Sequence, residues 1–222
     1  MTVESIKDEI FSTIRSNLDR SRQIAKGNKV EHTLLAQSAS SISTKTMTGA
    51  DIVVEFKSNL ESVRAECSVV NSLDEATRVL QEVIDRIAPH SIAVSDSPEM
   101  VSVMKTVKTD AIVLRNADPQ ALFGCDIGIT SAQWGISETG TLVLDAEREF
   151  NRLTSLIPGV HVCLIDAENI RYSMREILDL LAGDLSYSVT FVTGPSRTSD
   201  IELTLAIGVH GPRELHVIVI DR

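Results

Sequence analysis

Short apolar runs, each too brief for a stable helix, recur along residues 51–222, and amphipathic stretches separate them. The runs are ECSVV (66–70), SIAVS (91–95), AIVLR (111–115), CDIGIT (125–130), ISETGTLVLD (136–145), HVCLID (161–166), SVTFVTG (188–194) and LHVIVI (215–220). Between them, 51–63, 72–87 and 173–183 carry apolar residues at helical spacing. Strands that alternate with helices at this interval predict an α/β fold: a mainly parallel sheet with flanking helices. Local signals agree. Ser72 with Glu75 has capping-box spacing, Asp118-Pro119 opens a helical turn that Gly124 ends, and Gly183 closes the helix from Ser173.

Residues 1–50 differ. Val3, Ile6, Ile10, Ile14 and Leu18 form one helical stripe over 3–19, an N-terminal helical extension. Residues 25–50 are polar, with low complexity at SASSISTKT, and read as a linker: a plain tether, a lid or a dimer arm. The expected division is 1–50 for helix and linker and 51–222 for the α/β domain.

Charge bounds the partners. Lys and Arg total 21 against 31 Asp and Glu, a net charge of −10. General binding to nucleic acid or an anionic membrane needs the opposite field. A local basic site for a small anion is compatible with it. The three cysteines, Cys67, Cys125 and Cys163, are far apart with no CxxC pair. The expectation is free buried thiols in a reducing compartment, with no metal or iron–sulfur cluster held by this chain. No secretory pattern opens the chain and no apolar stretch reaches bilayer length, so a cytoplasmic location is expected.

Three stretches hold candidate chemistry. In QWGISETGTLVL (133–144), with the only Trp, Glu138 stands inside an apolar run. If 136–144 is one strand, Glu138 shares the more apolar face with Ile136, Gly140, Leu142 and Leu144. It is then paired, protonated or placed at a cleft, or salt-bridged to an Arg at a strand end. TGPSRTSDIE (193–202) follows an apolar strand and reads as a turn and helix start, with Ser199 and Glu202 at capping-box spacing. Such a turn favours an anion, with Arg197 as a forked donor, or is a capped helix with a surface Arg. IELTLAI also alternates as a strand does, but the preceding loop tips the reading to helix. His210, between two glycines in GVHGP, suits a loop near a ligand or a plain turn, and His161 faces a cleft or covers the core.

Taken in order, GITSAQWGISETGTLVLD, RLTSLIPGVHVCLI, GPSRTSDIE and GVHGPRELHVIVID resemble the LUD-domain family, in its lactate-utilization protein C-like branch, over roughly residues 50–222. The resemblance implies a fold similar to that of glucosamine-6-phosphate deaminase, ribose-5-phosphate isomerase and the CoA transferases. It also implies a cytoplasmic role in oxidation of L-lactate to pyruvate with iron–sulfur partner proteins, the clusters lying on those partners. The family's motif positions fall on Thr130, Trp134, Glu138, Thr139, Gly140, Thr141, Arg152, Ser155, Pro158 and His161. They continue on Gly194, Pro195, Ser196, Arg197, Thr198, Asp200 and His210. Glu138 in SETG is similar to the strand-borne Glu that accepts the acyl group in CoA transferases. The ligand is then a small carboxylate or other anion. Other readings stand beside this one: a standalone transferase or isomerase using Glu138, or a non-catalytic metabolite-binding or scaffold module. A homo-oligomer is compatible with all of them.

Overall fold

The computed structural model describes residues 48–182, 186–199, 205–207 and 211–222, with Ser12. The fold lies in the compact unit Met47–Arg222. The expected helix over 3–19 and the linker up to 47 fall outside the described residues, Ser12 excepted, as does Gly183.

Six strands form the main sheet: β1 (Glu66–Val70), β2 (Ser91–Val94), β3 (Ile112–Arg115), β4 (Ile127–Ser131), β7 (Val160–Asp166) and β12 (Glu214–Ile220). Their order is β1-β12-β7-β4-β2-β3, and every pairing is parallel. The mainly parallel sheet read from the sequence is therefore present. Both faces are covered, as parallel sheets require. Ile218 and Ile220 of β12 pack on one side with Val162 and Leu164 of β7. Leu215, Val217 and Val219 pack on the other with Cys163 and Ile165.

On the first face lie α2 (Leu73–Ile87), through Ala76, Leu80, Val83 and Ile84, and α3 (Pro98–Val103), through Met100 and Val103. Ser72 caps α2, its Oγ accepting from Glu75 N at 3.2 Å. The Glu75 carboxylate reaches one residue past the cap to Asn71 N, 2.9 Å away. On the second face lie α1 (Gly49–Ser62), through Val53, Phe56 and Leu60, and a smaller sheet. That sheet joins β5 (Trp134–Ile136), β6 (Thr141–Asp145), β8 (Ile170–Arg171) and β9 (Val189–Val192) in the order β8-β5-β6-β9. Its outer side, Ile136 and Val143, is closed by Ile177 and Leu181 of α6 (Met174–Leu181). Two short helices, α4 (Pro119–Leu122) and α5 (Ala146–Glu149), complete the set, α4 capped by Asp118 as expected.

Two sequence expectations change. Residues 136–144 are not one strand: β5 and β6 are antiparallel arms, joined through a 3-10 turn over Ser137–Thr139 and Gly140 at φ 60. A left-handed glycine ends the extended run, and with it the face assignment of Glu138. A Cβ on Gly140 would meet Leu60 N at 2.5 Å, so this glycine also lets α1 seat on the turn. Second, the expected helix after Gly194-Pro195 is replaced by two strands. β10 (Arg197–Ser199) pairs antiparallel with β11 (Leu205–Ile207). Over Leu205–Ile207 the strand signal prevails over the helix reading.

Candidate functional site

His161 is the second residue of β7, opposite Gly128 of β4 and Leu215 of β12. A Cβ at Gly128 would lie 2.0 Å from Thr154 O. The bare backbone there lets the 3-10 turn Arg152–Ser155 press onto the sheet beside the imidazole. His161 is fully buried. Its Nε2 lies 2.8 Å from Thr130 Oγ1, on the adjacent strand. Its Nδ1 has no hydrogen-bond partner among the described residues. Burial, and then the nearby His216, push its pKa down to about 3, so the ring is neutral.

This imidazole lines a cleft of about 200 Å³ with Ser155, Thr193, Gly194, Ser196 and Gly211. Ser155 is buried and its Oγ donates to Arg152 O at 2.9 Å. Ser196 N donates to Pro212 O at 2.8 Å and so ties the two chain segments of the far wall. A neutral imidazole carries one N–H. When Thr130 donates its hydroxyl proton to Nε2, the N–H is on Nδ1, the nitrogen without a partner among the described residues. A buried donor left unpaired costs about 1–3 kcal/mol, so an acceptor in the cleft gains by meeting it.

Of the family motif positions, Ser155, His161, Gly194 and Ser196 therefore converge on one cleft, and Thr130 supports it from behind. Thr139 and Thr141 approach it through a ladder of hydroxyls: Thr139 to Thr141 at 2.7 Å, and Thr141 to Thr193 at 2.8 Å. Glu138 does something different. It is exposed, and its Oε1 accepts from Met174 N at 2.9 Å, at the first turn of α6. A carboxylate is favourable at that helix end. Arg197 is exposed as well, and its Nη2 donates to Val63 O, a carbonyl at the end of α1. Glu138 and Arg197 thus serve two separate helix ends. Thr198 lies in β10 opposite Ala206. Arg152 is exposed in its 3-10 turn. His210 and Asp200 fall outside the described residues.

Trp134 lies elsewhere, at the carboxyl end of the sheet, with the Arg148 guanidinium 5.2 Å over its ring. Beside it is a residue that sequence reasoning missed. Glu149 is buried, and its Oε2 accepts from Ser131 N at 3.0 Å. Its Oε1 accepts from Ser131 Oγ at 2.6 Å and from Gln133 Nε2 at 2.8 Å. Burial raises its pKa against the pull of these bonds. The run DAEREF reads as a solvated acidic turn, and only the fold reveals that its third acid turns inward.

All three thiols are buried and free. Burial pushes Cys67 up to about 12 and raises Cys125 and Cys163, so these are protonated groups and poor metal ligands. Among the described residues no group of three His, Cys, Asp or Glu is placed to hold a metal ion. No described helix is long and apolar enough to cross a membrane.

A parallel sheet wound in both directions, with a small second sheet laid on one face, defines an α/β protein of the doubly wound class. The chain belongs to the LUD domain family, whose pattern matches residues 53–220. It is 41% identical over 98 residues to an uncharacterized protein of Neisseria meningitidis serogroup B, covering 43% of this chain and 42% of that protein. It is 40% identical over 114 residues to lactate utilization protein C of Deinococcus radiodurans, covering 49% and 54%. These two alignments thus span about half the length of each relative. Lactate utilization protein C of Oceanobacillus iheyensis aligns over 97% of this chain and 98% of its own, at 25% identity. The crystal structure of a DUF162 family protein from Deinococcus radiodurans superposes with a TM-score of 0.61 at 23% identity, covering 78% of this chain and 99% of that one, a likeness of fold.

Proposed function

We propose that this chain takes part, in the cytoplasm and with iron–sulfur partner proteins, in the oxidation of L-lactate to pyruvate, and that the His161 cleft holds a small carboxylate. The relatives named lactate utilization protein C support the setting. The observation that carries the ligand class is the fully buried His161, a residue that lines a cleft of about 200 Å³ and whose Nδ1 has no hydrogen-bond partner among the described residues. That volume suits a ligand of a few heavy atoms. A carboxylate oxygen accepts from Nδ1–H, while the hydroxyls of Ser155 and Ser196 border the same space. The chemistry of the thiols disfavours a cluster on this chain, so the two electrons of the oxidation pass to a partner that carries one.

Isothermal titration of the purified chain with L-lactate and pyruvate tests this reading. Saturable binding is expected, weakened about tenfold or more in His161→Ala, the loss of roughly one charge-assisted hydrogen bond. Equal affinity in the variant, or no binding of either acid, overturns the cleft as the carboxylate site.

A further inference from the structure

The chain leaves β2 toward β3 and leaves β4 toward β7, in opposite directions, yet β2 and β4 are parallel neighbours. The space beyond their carboxyl ends is the topological switch point, where open α/β sheets bind ligands. Here that space is a crevice of about 460 Å³, bordered by Ser97, Gln133, Trp134, Arg148, Phe150 and Asn169. It lies apart from the His161 cleft, which shares none of its residues.

Its construction is specific. Ser131 Oγ meets Ser97 Oγ at 3.0 Å across the two strand ends, and Glu149 holds both Ser131 and Gln133 from below. The wall that follows β4 is thereby fixed before any ligand arrives. Phe150 follows Glu149 with φ 62, a left-handed backbone that a bulky side chain rarely adopts, and the residue, 57% exposed, borders the crevice. Arg148 lies over Trp134 with its side chain 55% exposed, its Nε 3.7 Å from Asp145 Oδ2. The remaining charges at the crevice are Glu99, Glu147 and Asp166, so the field disfavours a phosphate.

We infer that this crevice is a second binding site, for a nucleoside whose planar base packs among Phe150, Trp134 and Arg148 and whose hydroxyls meet the Ser97, Gln133 and Asn169 side. Aromatic and guanidinium surfaces suit any base face, and the hydroxyl, amide and carboxylate groups suit a sugar. The inference is independent of the proposed role in lactate oxidation.

Isothermal titration of the full chain with adenosine and with adenosine 5′-monophosphate tests it. Saturable adenosine binding is expected, with the monophosphate at least several-fold weaker. Phe150→Ala, at an exposed position that leaves the core untouched, should weaken adenosine about tenfold, and Trp134→Leu by a similar factor. His161→Ala should leave adenosine affinity unchanged. Absence of adenosine binding up to millimolar concentration, an unchanged affinity in Phe150→Ala, or tighter binding of the monophosphate would each overturn the assignment.

Discussion

Thr130 and Ser131 are consecutive residues of β4, and they serve two buried titratable groups on opposite faces of the sheet. Thr130 meets His161 with one hydrogen bond, and the other imidazole nitrogen has no described partner. Ser131 meets Glu149 twice, and Gln133 adds a third bond. Burial moves each pKa against its charged form, down for His161 and up for Glu149. The difference lies in satisfaction. A buried polar group with all its bonds made is a brace, whereas one that is a bond short is where a ligand completes the structure.

The largest expected effect breaks the brace. Glu149→Ala leaves the Ser131 N–H and the Gln133 amide without their acceptor and opens a void, so unfolding in urea should show a loss of about 3 kcal/mol. That deficit should narrow as pH rises. The raised pKa of Glu149 means that its contribution is whole below the unfolded carboxylate range and is lost as pH climbs through the folded value. A loss under about 0.5 kcal/mol would show that the network does not brace the strand ends.

The pH response of His161 should have the opposite sign. The unfolded ring titrates near 6.5 and the folded one near 3, so the unfolded state holds the extra proton between these values. Stability is whole above about pH 6.5 and falls toward pH 3, by about 1.4 kcal/mol per pH unit for this one proton. His161→Gln should flatten that slope in urea titrations at pH 7.5, 6 and 5. An unchanged slope would place the titration on another group.

Thr130→Val should cost about 1.5 kcal/mol and weaken carboxylate binding, while Thr130→Ser restores both, since the hydroxyl sets which nitrogen carries the proton. Nitrogen NMR of the imidazole should show the Nδ1–H tautomer in the parent and in the Ser variant, with a mixture in the Val variant. The smallest effect is Ser196→Ala: a few-fold weaker binding at the cleft, with thermal stability within the error of the parent. A destabilisation above about 1 kcal/mol would make Ser196 part of the scaffold instead.

Much of this architecture is legible in the residues, because a sheet buried on both faces must be written as apolar runs, and β7 and β12 are written that way. Caps at Ser72 and Asp118 are legible because their chemistry is local. The cleft is legible only in part. His161 stands at the head of an apolar strand, but whether it faces space depends on Gly128 and the turn that presses against it, residues more than thirty positions away or in another element. Glu138 misled because strand parity holds only while the strand continues, and Gly140 stops it. The stretch that holds β10 and β11 carries two competing local signals. Glu149 gave no signal at all, since nothing near it in sequence tells that its partners, Ser131 and Gln133, end a strand behind it.

The place of β12 has a consequence for how the protein is made. β12 lies between β1 and β7, and its His216 stands beside Glu66 of β1, about 150 residues earlier in the chain. Until 214–220 leave the ribosome, β1 has no neighbour in the sheet, and both β1 and β7 present an open hydrogen-bonding edge. The main sheet therefore closes only once everything from β1 to β12 has been made, through one long-range step that should limit the folding rate and mark the interval in which a chaperone has most to protect.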